Sequence, residues 1–251
     1  MLYQQRIESL HKLKLTGMIN ALKEKQQNRQ FKEMPFEDRF GMLVDRELNE
    51  QKNRRLDLRL RKAKLRQTAV IEYIDFRTAR GLDKSLILEL ATCDWLRERQ
   101  NVMIIGPTGV GKSFLACALA HKACREGFTV QYHRTSRLFS KLVVSRADGR
   151  YLRLLKNLAR VDLIILDDWG LEILNKDQRG DMLEIFEDRH NRKSLVITSQ
   201  GPFENWHSLI GEATHGDAIL DRVAHNAHII NLEGGTMRKK ISKNPKNISG
   251  S

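Results

Sequence analysis

Gly106-Pro107-Thr108-Gly109-Val110-Gly111-Lys112-Ser113 stands between an apolar run, Val102-Met103-Ile104-Ile105, and a helical pattern that begins at Phe114-Leu115-Ala116. The octapeptide fits G-x-x-x-x-G-K-[ST] at every fixed position, and its flanks supply what such a loop needs: a strand that ends, a glycine turn, a helix that begins. Backbone N–H groups and the positive end of the helix then converge on one spot, which suits a polyphosphate. The loop glycines supply backbone angles that a side chain forbids. Residues Gly106 to Phe114, with Pro107, Thr108, Gly109, Val110 and Gly111 between them, are therefore expected to cradle ATP. Lys112 would reach the β- and γ-phosphates, and the Ser113 hydroxyl would take a position on Mg²⁺.

Outward from the loop, Leu163-Ile164-Ile165-Leu166 runs into Asp167-Asp168. Four apolar residues followed by two acids predict a strand buried on both faces whose C-terminal end projects carboxylates into the ligand crevice of an open α/β sheet. Asp167 would coordinate Mg²⁺, and Asp168 would orient or deprotonate an attacking water, or else cap the turn before Trp169-Gly170. A further strand, Leu195 to Thr198, leads into Ser199-Gln200, where polar side chains would either lie beside the γ-phosphate or serve an ordinary turn. Arg222 and Arg238 are the arginines that could stabilise charge developing on that phosphate, from the same chain or a neighbour; a surface ion pair is the alternative for each. His225 and His228 lack a Glu or Cys partner at metal-ligand spacing, and Trp169 and Trp206 read as packing residues.

Strand-like runs separated by helix-length segments define an α/β class, a five-stranded parallel sheet in a P-loop core spanning 99–235. Before it, 1–66 reads as a small all-helical domain of amphipathic helices broken near Pro35, and 67–98 as a linker with a helical pattern at Leu86, Leu90 and Trp95. Within the core a basic helical stretch is expected from about Ser136 to Arg160. No run of eighteen apolar residues occurs and charge enters every turn of the first residues, so neither a membrane span nor a secretion signal is expected. Three cysteines without a C-x-x-C pair read as reduced thiols of a cytoplasmic protein.

Charge is unevenly divided. Residues 1–66 carry 17 Lys and Arg against 9 Asp and Glu, and 236–251 carry 5 against none; these two ends account for the whole net charge of +13. A neutral core with basic flanks favours a polyanionic partner, or is simply a solvated surface. The polar composition of Lys243 to Ser251 predicts disorder.

These motifs, with Ile197-Thr198-Ser199-Gln200, Trp206, Ala218-Ile219-Leu220-Asp221-Arg222-Val223, Met237-Arg238 and the opening Leu13-Lys14-Leu15-Thr16-Gly17-Met18, resemble the IstB family of transposition helper ATPases. That family stands with the DnaC-type helicase loaders among the AAA+ ATPases. The resemblance implies a site shared between subunits, with Arg222 as a finger reaching a neighbour's γ-phosphate and Arg238 as a sensor within its own chain. Gln200 stands where the group usually has Asn, and Gly235-Thr236 replaces the more usual Glu-Ser. It also implies that 134–160, with eight Lys and Arg against Asp148 alone, is a nucleic-acid-binding insertion; Arg137, Lys141, Arg146, Arg150 and Arg153 are its candidate phosphate contacts, the last three on one helix face. The expected activity is ATP hydrolysis by a homo-oligomer that assembles on duplex DNA, without strong sequence preference, and serves a transposase. A DnaC-like helicase loader and a nucleotide-gated scaffold with little turnover are the alternatives.

Overall fold

The computed structural model describes residues 2–25, 31 and 33–237. β1 (Asn101–Ile105) is buried at all five positions, flanked on one side by β4 (Ser194–Ser199) and on the other by β5 (Ala227–Asn231). Beyond β4 come β3 (Leu163–Trp169) and then β2 (Val130–Arg134), giving the order β2-β3-β4-β1-β5 with every pairing parallel. This is the five-stranded parallel sheet that the sequence predicts. Strands covered by helices on both faces need apolar side chains at consecutive positions, which is why β1, β3 and β4 contain unbroken apolar runs.

Helices occupy the crossovers. α6 (Lys112–Arg125) follows β1, α7 (Thr135–Ala147) and α8 (Tyr151–Arg160) separate β2 from β3, α9 (Lys176–Arg189) separates β3 from β4, and α10 (Trp206–Ile210) and α11 (Ala213–Ala224) precede β5. Cys117 and Cys124 lie on the buried face of α6. Trp169 and Trp206 pack in the core with ring centroids 5.7 Å apart. Both tryptophans are packing residues, as expected.

Two segments depart from expectation. The basic stretch is not one helix: α7 ends at Ala147, Gly149 takes φ +74°, and the Asp148 carboxylate accepts from the Arg150 N–H at 3.1 Å before α8 begins. An Asp-Gly pair supplies both the side-chain acceptor and the left-handed residue that a tight reversal needs. Arg146 therefore lies on α7, Arg150 in the turn and Arg153 on α8, and the three do not share a helix face. The helical pattern Leu86 to Trp95 likewise divides into α4 (Lys84–Leu90) and the short α5 (Asp94–Arg97), because Cys93 takes φ +65° between them.

Before the core lie α1 (Leu2–Lys12), α2 (Thr16–Lys25) and α3 (Phe36–Ala63), the last beginning directly after Pro35. The chain divides into two units, Met1–Leu58 and Arg59–Ser251, so the boundary falls within α3. In the first unit the buried Glu47 carboxylate accepts from the Gly17 N–H at 2.7 Å and the Met18 N–H at 3.2 Å, capping the start of α2. Gly17 is required there: a Cβ would sit 2.7 Å from the Glu47 Cα. Among the described residues no helix is long and apolar enough to cross a membrane.

Candidate nucleotide-binding site

The glycine loop joins the C-terminal end of β1 to the first residue of α6. Gly106 and Gly109 take φ +153° and +91°, and each faces chain that leaves no room for a side chain. A Cβ on Gly106 would meet the Leu232 carbonyl oxygen at 2.2 Å, and one on Gly109 the Thr236 Oγ1 at 2.5 Å. The segment after β5 straps the loop in place: Leu232 N–H donates to the Ile105 carbonyl at 2.7 Å and Met237 N–H to the Gly109 carbonyl at 2.9 Å. Arg238 and residues 239–251 lie outside the described residues, so the expected sensor arginine has no described position.

Lys112 is buried at the mouth of the helix, and its Nζ donates to the carbonyls of Gly106 (2.6 Å) and Pro107 (2.8 Å). Arg80 supports the loop from below, donating to the Val110 carbonyl at 2.7 Å and the Asp75 carbonyl at 3.1 Å. Burial pulls its pKa down, against the attraction of Asp75. A cavity of about 730 Å³ opens beside the loop, lined by Thr108, Gly109, Gly111, Lys112, Ser113, Phe114, Asp168 and Gln200 among others.

The acid pair owes its geometry to a β-bulge. Leu166 pairs with Ile197 but the next registered pair is Trp169 with Ser199, so β3 carries one residue more than β4 across this interval. Asp168 takes φ +61°, a left-handed conformation that Asp tolerates better than most side chains. In a regular strand consecutive carboxylates point to opposite faces; the bulge instead brings both within reach of one cation. Thr198 fills the irregularity, accepting from the Asp168 N–H at 3.0 Å and donating to Asp167 Oδ1 at 2.6 Å.

Asp167 is fully buried. Its oxygens accept from Ser113 Oγ (2.8 and 3.0 Å), from Thr198, from the Tyr132 hydroxyl and from Arg66 (3.1 Å). Burial alone would raise its pKa; the bonds from Thr198, Tyr132, Ser113 and Arg66 outweigh that and hold the carboxyl below its ordinary value. The same surroundings push the Tyr132 hydroxyl up, by burial first and the neighbouring carboxylate second. An ionised carboxylate beside serine and threonine hydroxyls is a hard oxygen donor set, the kind that suits Mg²⁺. Asp168 is more open and pairs with Arg134 Nε at 2.9 Å.

Of the other expected residues, Gln200 accepts from the Thr108 hydroxyl at 2.8 Å at the cavity edge. Ser199 is buried and donates to the Gly201 carbonyl at 3.0 Å, a turn contact away from the cavity lining. Arg222 lies outside its own cavity, bonded through Nε to Glu187 and through NH1 to the Ala218 carbonyl at 2.7 Å. In the insertion, Arg146 is bound to the buried Asp181 and Arg150 to Asp148, whereas Arg137, Lys141 and Arg153 are exposed with no ion pair among the described residues. Sequence reasoning did not single out Arg66 or Tyr132. Tyr132 could be found only by knowing that β2 lies beside β3, with Tyr132 opposite Ile165.

A parallel sheet in this order, a glycine loop leaving β1 and acids at the end of β3 define a P-loop nucleotide-binding protein of the AAA+ class. The fold is similar to that of solved DnaI (TM-score 0.58, 20% identity, 67% of this chain and 92% of that one) and of the DnaC helicase loader (TM-score 0.57, 18% identity, 65% and 96%). Residues 8–245 match the family described as IstB-like ATP binding protein, and the chain belongs to that family. It is 48% identical over 239 residues to the insertion sequence ATP-binding protein y4pL of Sinorhizobium fredii, covering 95% of this chain and 98% of that protein. It is 44% identical over 203 residues to the ATP-binding protein of insertion sequence IS1162 from Pseudomonas fluorescens, covering 80% and 88%.

Proposed function

We propose that the protein is an ATP-hydrolysing, DNA-binding regulator of insertion-sequence transposition. It oligomerises on duplex DNA in its ATP state, engages a cognate transposase, and disassembles after hydrolysis. The observation that carries this reading is the Ser113–Asp167 pairing beside the strapped glycine loop, in a chain 48% identical to an insertion sequence ATP-binding protein.

Gly106 to Phe114 bind the triphosphate, and Lys112 exchanges its two carbonyl partners for phosphate oxygens. Ser113 and Asp167 hold Mg²⁺, which when bound offsets phosphate charge and orients the transferring group. Asp168 orients the attacking water, with Gln200 the polar group at the neighbouring strand end; Ser199, turned to the Gly201 carbonyl, has no part in this step. Arg222 acts on the γ-phosphate of an adjacent subunit; its position outside its own cavity supports that role, and Arg238 acts within its own chain. Arg137, Lys141 and Arg153, exposed cations of the insertion with no ion pair among the described residues, are the DNA contacts in this reading, with Arg146 and Arg150 as contacts only where their acid partners release them. The test is ATP-dependent assembly measured by light scattering with duplex or single-stranded DNA. Duplex-triggered assembly is expected, and a preference for the single strand would overturn the reading in favour of a loader-like activity.

A further inference from the structure

Arg66 lies three residues past the end of α3, in a stretch without regular secondary structure, and Lys64 just before it takes φ +51°. Its NH1 stands 3.1 Å from Asp167 Oδ2 and 3.7 Å from Asp168 Oδ2, so one guanidinium spans both acids. The bulge in β3 makes this span available. A carboxylate offers about four lone-pair positions, and on Asp167 they are addressed by Ser113, Thr198, Tyr132 and Arg66. Ser113 and Thr198 are hydroxyls fixed on α6 and β4, and Tyr132 is fixed on β2. Arg66 differs from all three: it is charged, its side chain is 43% exposed, and no helix or strand carries it.

A divalent cation seated on Asp167 would bring a second positive charge against the guanidinium, and the two repel. Of the groups on Asp167, the solvated one that no helix or strand carries is the group that yields at least cost.

We infer that Arg66 is a latch on the acid pair: it holds Asp167 and Asp168 together in this arrangement and is displaced when Mg²⁺-nucleotide loads. The energy of its release is subtracted from the affinity for the metal-bound nucleotide, and the junction at residues 64–67 is freed as the site fills. The inference rests on Ser113 and Asp167 being the metal seat.

The experiment is binding of a fluorescent, non-hydrolysable ATP analogue, once in excess Mg²⁺ and once in EDTA, for the full chain and for Arg66→Gln. Removing a competitor should lower the Kd in Mg²⁺ by about tenfold, without any tightening in EDTA, where loss of a nearby positive charge can only weaken phosphate binding. A Kd in Mg²⁺ that is unchanged or raised overturns the latch, whatever happens to the melting temperature. A wild-type protein that binds no tighter in Mg²⁺ than in EDTA instead overturns the metal seat, which separates the two failures. If Arg66→Gln does not fold, Arg66→Lys replaces it. A single ammonium holds one acid rather than two, so its Kd in Mg²⁺ should fall about threefold, and an unchanged value overturns the latch.

Discussion

Two buried aspartates in this molecule are surrounded by the same chemistry. Asp167 accepts from Tyr132 and Arg66; Asp181, on α9, accepts from Tyr151 at 2.7 Å and from Arg146 through NH1 at 3.1 Å. What differs is the rest of the shell. Around Asp167 two more hydroxyls, Ser113 and Thr198, converge from different elements, and a cavity opens beside its neighbour Asp168. Around Asp181 the space is closed: the Arg146 guanidinium lies 4.4 Å from the Tyr151 ring centroid, pinning α7 and α8 to α9. In the proposed mechanism the same triad of acid, phenol and guanidinium is a seat for a cation where hydroxyls and open space adjoin it. Where aromatic packing closes it off, the triad is a staple. A buried ion pair therefore does not identify a site until its remaining neighbours are known.

The sharpest way to extend this comparison is through an arginine that resembles neither. Arg222 sits on Glu187 as an ordinary surface pair would, yet the proposed mechanism sends it to a neighbour's phosphate. Arg222→Ala should slow DNA-stimulated ATP hydrolysis by about 1000-fold. Mixing it with Lys112→Ala subunits, which supply the arginine beside a dead loop, should restore part of the rate. A mixture no faster than the two variants assayed alone would return Arg222 to the status of a surface ion pair. Next in size, Asp167→Asn should cost about 100-fold in the Mg²⁺-dependent part of nucleotide affinity, read by comparing analogue binding in Mg²⁺ and in EDTA. An unchanged Mg²⁺ dependence would make Asp167 a staple like Asp181.

The comparison also explains what the sequence made legible. The glycine loop is local: eight adjacent residues, an apolar run before them and a helix after, so motif and geometry coincide. The number of strands and their parallel sense follow from the rhythm of apolar runs and helix-length gaps, and the candidacy of Asp167 from its place at the end of such a run; the order of the strands does not. Arg66 and Tyr132 were not legible, because they reach Asp167 across 101 and 35 positions and meet it only through the folded sheet. Arg66 was hidden further by its company, a run of Lys and Arg from Arg54 onward that reads as a solvated linker or as a face that meets phosphates. The Asp148-Gly149 pair was visible as a turn signal, but a helical period imposed across it placed Arg146, Arg150 and Arg153 on one face. Thr198 stood at a strand end, where turn chemistry and ligand contact look alike until the bulge in β3 shows which hydrogen bonds it must satisfy.

The staple makes its own prediction. Asp181→Ala leaves Arg146 without its acid and opens the contact between α7, α8 and α9. Since Arg146 is 38% exposed, the loss falls below that of a wholly buried pair. About 2 kcal/mol is expected, a fall of roughly 6 °C in Tm for a domain of this size. Nucleotide affinity should be unaltered. A weakened Kd with an unchanged Tm would show that the hairpin communicates with the ATP site.

The smallest effect separates free cations from stapled ones in the hairpin. Each Lys or Arg that neutralises a phosphate lowers the slope of log K against log salt by about 0.9 on duplex DNA. Arg137, Lys141 and Arg153 are exposed without an ion pair among the described residues, so replacing all three by Ala should flatten that slope by about 3 and weaken binding at moderate salt by about tenfold. Arg146 is already paired with Asp181, so it neutralises no phosphate and displaces none of the cations condensed on the DNA. Arg146→Ala should therefore lower Tm while leaving the salt slope near its original value. If instead Arg146→Ala flattens the slope and the triple variant does not, the stapled arginine is the DNA contact, Asp181 is its holster, and the distinction between the two aspartates disappears.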